Sequence, residues 1–176
     1  ASEDDDASGD GEGRTSSDDS AEGRRSLGHQ SAGGYLQRLP APAALGASAE
    51  REIVIQTWGT ARMQKPPEAQ THITCDIKKF HYLTRNNKFL KRLTGLDDEV
   101  QEQICRCGFF SDWIASAVAR IERDNVSSLA LNCFKGTHRS VAAAEILRKV
   151  YYPRATVRHL TMGYIRPGRA GGPSRT

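Results

Sequence analysis

The sequence predicts an α/β fold: a small parallel or mixed sheet flanked by helices, preceded by a disordered acidic tail. Two observations carry the fold class. Short strand-like runs alternate with helical patterns from Glu52 to His159, the order that builds a parallel sheet. The stretch Ser127–Tyr152 (SSLALNCFKGTHRSVAAAEILRKVYY) reads strand, tight loop, helix, the repeating unit of such sheets. A third observation sets the tail apart. Residues 1–50 hold 10 acidic and 4 basic residues, whereas residues 51–176 hold 11 acidic and 21 basic.

Ala1–Ala49 is low-complexity (EDDDASGDGEG, SSDDSAEG, PAPAALGAS). It offers too little apolar surface to offset the entropy of ordering, so residues 1–49 are expected to be disordered. The chain opens on Ala1 rather than Met and is read as a fragment or processed product. The α/β domain is expected over residues 50–163. Glu52–Trp58 (EIVIQTW) reads as its first strand, and Gly59–Gln70, with Pro66-Pro67, as a loop. His72–Ile77 reads as a second strand that brings Asp76 to its end. Lys78–Arg92 is basic and irregular. Asp97–Cys107 reads as a helix with acids in its first turn, where the helix dipole favours them. Ser111 is a candidate cap for a helix over Asp112–Asp124, with Trp113, Ile114, Ala117, Val118 and Ile121 at helical spacing. Ser128–Leu131 reads as the third strand, Arg139–Tyr152 as the third helix and Thr156–His159 as the fourth strand. Residues 164–176 read as a flexible Arg/Gly-rich arm.

The net charge of +4 conceals an acidic tail on a basic domain. That asymmetry suggests an anionic partner, such as RNA or a phosphorylated ligand. The four cysteines, Cys75, Cys105, Cys107 and Cys133, include no C-x-x-C pair, so no zinc site is expected, and reduced thiols fit an intracellular protein. No apolar run has the length of a membrane span. The acidic start is unlike a signal peptide. No metal and no cofactor is implied.

The loop after the third strand carries the chemistry. The first turn of a helix has backbone N–H groups without intrahelical partners and a partial positive charge, so anions bind there. Lys135, His138 and Arg139 add charge, Thr137 and Ser140 add hydroxyls, and Gly136 permits a tight loop. In an α/β sheet, ligands bind at the C-terminal ends of strands. Asp76 and Cys133 are expected there, with Lys78 beside Asp76.

Two families share this loop. The string Cys133–Val141 (CFKGTHRSV) resembles the C-x-x-G-x-H-R-S-V loop of the RapZ C-terminal domain family. Asp76-Ile77-Lys78 resembles that family's D-x-[RK]. Leu90-Lys91-Arg92-Leu93-Thr94-Gly95-Leu96-Asp97 resembles its L-R-P-x-T-G-L-D, and Arg158-His159-Leu160-Thr161 its R-H-x-T. The resemblance spans roughly Glu52–Met162, with the four motifs in the same order and spacing. It implies a domain that binds a phosphorylated small molecule, with an amino-sugar phosphate as the family's ligand class, and a ligand-sensing or RNA-binding adaptor role rather than an enzymatic one. The implied ligand residues are Asp76, Lys78, Thr94, Cys133, Lys135, Gly136, Thr137, His138, Arg139 and Ser140. The chain departs from the family at Thr84-Arg85-Asn86-Asn87, where a P-N-P turn is usual, and at Phe134 and Lys135, which replace small residues. It has no G-x-x-x-x-G-K-[ST], so the nucleotide chemistry of the family's other domain is not implied.

The alternative is a cysteine-dependent phosphatase. Cys133 and Arg139 have the C-x5-R spacing, with Ser140 next to the Arg. In that chemistry Cys133 is the nucleophile, Arg139 clamps the phosphoryl oxygens, and Asp97 or Asp98 protonates the leaving group. Asn132 stands where a His usually precedes the Cys.

Overall fold

The computed structural model describes residues 34–76, 89–90 and 92–163. Residues 1–33, Lys78 with the basic segment around it, and the arm over 164–176 lie outside the described residues.

Among the described residues the sheet has four strands, β1 (Val54–Gly59), β2 (Thr71–Thr74), β3 (Ser128–Cys133) and β4 (Thr156–His159), in the order β2-β3-β1-β4. Every pairing is parallel, so the sheet is parallel and not mixed. Its central strands are β3 and β1. Leu129, Ala130 and Leu131 of β3 are fully buried, as is Ile55 of β1. Strands covered on both faces read as continuous apolar runs, which explains why Leu129–Leu131 lacks alternation.

Among the described residues three α-helices flank the sheet: α1 (Asp98–Cys105), α2 (Gly108–Arg123) and α3 (Arg139–Ile146). A π-helical turn, Leu147–Tyr151, extends α3 toward the expected end at Tyr152. Ala142, Ala143 and Ala144 of α3 are fully buried, and small side chains let the helix lie close to the strands beneath. Ile104 of α1 and Phe110, Ile114, Val118 and Ile121 of α2 join Leu129, Leu131, Ile146 and Leu147 in one core. Phe110 also stacks on Trp113, with ring centroids 5.7 Å apart. Helix α2 closes on Asn125, whose φ of 47° is left-handed. The following Val126 N–H reaches back to the Ile121 carbonyl at 2.9 Å, which satisfies a terminal carbonyl of the helix.

Two expectations need correction. Ser111 caps nothing: α2 already starts at Gly108, with Cys107 in the cap position. The apolar pair Phe109-Phe110 carries the helix back beyond Ser111. Order also begins well before residue 50. Gly34–Arg38 and Pro42–Leu45 form two 3-10 turns, and Tyr35 and Leu39 join the core. The Tyr35 hydroxyl lies 3.0 Å from Asp98 Oδ1 and 3.2 Å from Gln101 Oε1. The Tyr151 hydroxyl donates to the Pro40 carbonyl at 2.9 Å. A few apolar side chains anchor this segment although its average composition is that of a tail.

Candidate functional site

Sequence-singled residues converge at the C-terminal ends of β2, β3 and β1. Strand β3 delivers Cys133, the loop follows, and Arg139 opens α3. Gly136 makes the turn possible, with φ at 66°. It also has no room for a side chain. A Cβ there would sit 2.2 Å from Thr161 Oγ1, 2.5 Å from the Gly59 nitrogen and 2.7 Å from the Trp58 carbonyl carbon. Gly59, at the end of β1, faces the same constraint, because its Cβ would lie 2.4 Å from the Lys135 carbonyl carbon. The two glycines let loop and strand end touch backbone to backbone. Thr60 and Ala61 N–H groups donate to the Cys133 and Phe134 carbonyls at 3.2 and 2.9 Å. The Thr161 hydroxyl donates to the Gly136 carbonyl at 3.3 Å.

The Thr94–Asp97 turn fixes the other side of the loop. The Gly95 N–H donates to the Thr137 carbonyl at 2.8 Å. A Cβ on Gly95 would meet the Ala142 nitrogen at 2.3 Å and the His138 oxygen at 2.4 Å. The Asp97 carboxylate accepts from the Thr94 N–H at 2.7 Å and the Thr94 hydroxyl at 2.9 Å. Asp97 therefore locks this turn, and a carboxylate holding two donors is poorly placed to deliver a proton to a leaving group. Thr94 likewise spends its hydroxyl on the turn. Buried Gln101 secures it from behind, donating to the Gly95 and Leu96 carbonyls at 2.9 and 3.1 Å and accepting from Lys149 Nζ at 2.9 Å.

Within the loop, Cys133 is 5% exposed. Its sulfur accepts the Gly136 N–H at 3.2 Å and lies 3.2 Å from the Ser140 hydroxyl. Ser140 is fully buried, so it positions the sulfur. Lys135 and Phe134 are exposed. Among the described residues, the backbone N–H groups of Lys135, Thr137, His138, Arg139 and Ser140 meet no acceptor. They surround the start of an eight-residue helix, where an anion is favoured. Arg139 Nη1 lies 3.9 Å from Asp76 Oδ1, with the Arg139 side chain 17% exposed and the Asp76 side chain 57% exposed. Arg139 thus reaches from the start of α3 toward Asp76, just past the end of β2.

His138 departs from the expected role of a cation. Burial pushes its pKa below the ordinary value, the cations Lys135, Arg139 and Arg62 push in the same direction, and only the Leu93 backbone opposes them. At neutral pH the ring is held neutral. Nδ1 lies 3.2 Å from the Thr137 hydroxyl. Among the described residues, the positive charge of the site comes from Lys135 and Arg139, joined by Arg62, which the sequence reading missed. Arg62 Nη1 donates to the Thr161 carbonyl at 2.7 Å. The buried side-chain polar atoms without a partner among the described residues are Trp58 Nε1 and His138 Nε2. Trp58 stands beside the loop and His138 lies within it; for His138 the Leu93 backbone is close enough to favour the charged ring but is not aligned for a full hydrogen bond.

Behind the loop, His159 is structural. Its Nδ1 lies 2.9 Å from the Thr57 hydroxyl and its Nε2 3.2 Å from Glu145 Oε1. Glu145 also accepts from Arg148 at 2.6 Å. The His159 hydrogen bond, followed by the Arg148 one, pulls the Glu145 pKa down to about 2 against the opposing effect of burial. Among the described residues there is no cluster of His, Cys, Asp and Glu able to hold a metal, and no helix is long and apolar enough to cross a membrane.

No protein-family model matches the chain, and no curated protein matches it.

Proposed function

We propose that the Cys133–Ser140 loop binds the phosphoryl group of a small metabolite, as the resemblance to the RapZ C-terminal domain family implies, and that the protein serves as a ligand-sensing or RNA-binding adaptor. One observation carries this reading: among the described residues, the backbone N–H groups of Lys135, Thr137, His138, Arg139 and Ser140, at and just before the start of α3, meet no acceptor. Backbone donors held by the fold recognise phosphoryl oxygens with little reorganisation. Asp76, a carboxylate 3.9 Å from Arg139, suits a hydroxyl or ammonium group next to the phosphate. That arrangement favours an amino-sugar phosphate over a bare anion. Asp97 is occupied by the Thr94 turn, which argues against the proton donor that turnover requires.

Calorimetry with inorganic phosphate, a hexosamine phosphate and the free hexosamine tests the proposal. The expected order is hexosamine phosphate tightest and free hexosamine undetectable. Asp76→Asn should weaken the hexosamine phosphate while leaving inorganic phosphate unchanged or tighter, because Arg139 loses a competing carboxylate. No binding of any phosphate at low ionic strength would remove the reading.

A specific observation favours a second reading, a cysteine-dependent phosphatase. The Cys133 sulfur sits beneath the loop, accepts the Gly136 N–H and has the Ser140 hydroxyl 3.2 Å away, an arrangement suited to a sulfur that acts as nucleophile and leaving group. Hydrolysis of an aryl phosphate that disappears in Cys133→Ser would establish it. Adaptor function predicts no turnover and a Cys133→Ser protein with near-normal phosphate affinity.

A further inference from the structure

Cys133 has a neighbour that the anion site does not require. In β2 and β3, Thr74 stands in register with Asn132. The Cys75 N–H donates to the Asn132 carbonyl at 2.8 Å, one of the bonds that seat Thr74 opposite Asn132. The next residue along each chain is then Cys75 on one side and Cys133 on the other, side by side at the strand ends. Residues in register on adjacent strands project to the same face, and their Cα atoms are about 4.8 Å apart. That spacing falls within the range of about 4.4–6.8 Å that a disulfide spans. Both cysteines are reduced and buried, Cys75 completely. The charge of one is also felt by the other: after burial, Cys133 is the next largest influence raising the Cys75 pKa, with Arg139 opposing.

We propose that Cys75 and Cys133 form a peroxide-sensitive dithiol, with Cys133 the oxidised residue and Cys75 its resolving partner, and that the disulfide dismantles the loop above it.

The surroundings assign the roles. Cys133 receives the Gly136 N–H at its sulfur, has the Ser140 hydroxyl 3.2 Å away and lies under the solvent-facing loop, whereas Cys75 is fully enclosed and burial pushes its thiol pKa up. In the first step the Cys133 sulfur attacks one oxygen of hydrogen peroxide. The O–O bond breaks, an S–O bond forms, and the departing hydroxide leaves as water after taking up a proton. The product is a sulfenic acid. In the second step the Cys75 sulfur attacks the Cys133 sulfur. The S–O bond breaks, the hydroxyl leaves as a second water with the proton from Cys75, and an S–S bond forms. Two thiols lose two electrons and two hydrogens, and one peroxide becomes two waters.

The bond has a structural consequence. Cβ atoms of a disulfide stand about 3.8 Å apart, so the two side chains must turn toward each other while the strand spacing stays within the disulfide range. The Cys133 sulfur then turns toward β2 and gives up the Gly136 N–H and the Ser140 hydroxyl. Those contacts fix the turn at Gly136 and the first turn of α3. The effect on ligand binding rests on the function proposed above; disulfide formation does not.

The test treats the full chain with a few equivalents of hydrogen peroxide, blocks free thiols, and analyses the digest by mass spectrometry without reductant. The expected product joins the Cys75 and Cys133 peptides and disappears with dithiothreitol. Cys75→Ala should give no such product and let Cys133 proceed to the sulfinic acid. Because Cys75 is a core residue, a second variant, Cys105→Ala/Cys107→Ala, keeps the pair intact and should form the same cross-link. Cys133 found as the sulfinic acid or unmodified in the wild-type chain, or bonded to Cys105 or Cys107, overturns the assignment. Hydrogen exchange judges the effect on the loop independently of any ligand: amides over Phe134–Ser140 should exchange at least tenfold faster after oxidation, and unchanged exchange overturns that part. Inorganic phosphate affinity, measured in both redox states, should fall at least tenfold and recover with dithiothreitol. If the cross-link and faster exchange appear but the reduced chain never binds phosphate, the dithiol stands and the anion-site reading fails.

Discussion

Gly136→Ala tests the geometry on which the whole site depends. The substitution does two separable things. It places an L side chain at a φ of 66°, which costs about 1–2 kcal/mol. It also inserts a methyl group 2.2 Å from Thr161 Oγ1 and 2.5 Å from the Gly59 nitrogen. The hydroxyl can rotate away, but the backbone of β1 cannot, and forced repacking of this kind costs about 1–3 kcal/mol. The total is about 2–5 kcal/mol. Gly46→Ala isolates the first contribution, because Gly46 has a φ of 67° but nothing within 4 Å of its would-be Cβ. It should cost only about 1–2 kcal/mol. Urea unfolding followed by tryptophan fluorescence measures both, and with a slope of about 1–3 kcal/mol per molar Gly136→Ala should lower the midpoint by on the order of 1–2 M. Equal midpoints for the two variants would refute the contact between the loop and the end of β1. With that contact gone, the placement of Cys133 and Arg139 would have no support.

Other outcomes follow from the same contacts. Arg139→Ala should weaken phosphate binding by about 1.5–3 kcal/mol, the range for a charge-assisted hydrogen bond, as read by calorimetry. Glu145 has its folded pKa depressed to about 2 from an ordinary 4.5, so its contribution to stability is present above about pH 4.5 and lost as pH falls toward 2. Glu145→Gln should flatten the stability–pH curve in that window while lowering stability at neutral pH. Removing residues 164–176 deletes Arg166, Arg169 and Arg175; if the arm holds RNA phosphates, the slope of log affinity against log salt becomes shallower by about 2–3. An unchanged slope in a titration from low to moderate salt removes the arm from the RNA reading.

The loop was legible in the sequence because its chemistry is local. A Gly, three basic side chains and two hydroxyls between an apolar run and an alanine-rich helix describe a strand, a tight turn and a helix start. The meeting of Asp76 with Arg139 was also legible, since both stand where parallel strands end. Arg62 was not. It lies three residues past β1 in a stretch without periodicity, and its only signal was Gly59, a glycine at a strand end where another backbone approaches. The neutral state of His138 was hidden because burial is a tertiary property, and a basic residue beside Arg139 reads as charge. Tyr35 and Leu39 were missed for a compositional reason: glycine, serine and proline around them lower the average, although single side chains make the contacts. The pairing of Cys75 with Cys133 needed the strand order, which places β2 beside β3 although 53 residues separate Thr74 from Ser128.

Gln101 gives the N-terminal segment a part in the site. Its amide hydrogens both go to the Gly95–Leu96 turn, and its oxygen serves Lys149 and the Tyr35 hydroxyl. The side chain can satisfy all of these in one orientation only, so it acts as a keystone between the first 3-10 turn and the turn that braces Thr137. A domain boundary drawn at residue 50, where composition changes, would cut away one of its supports. Such a trimmed protein would keep every strand and helix of the sheet, yet the platform beneath the loop would be loosened from the far side. A fragment intended to preserve the site has to begin before Tyr35.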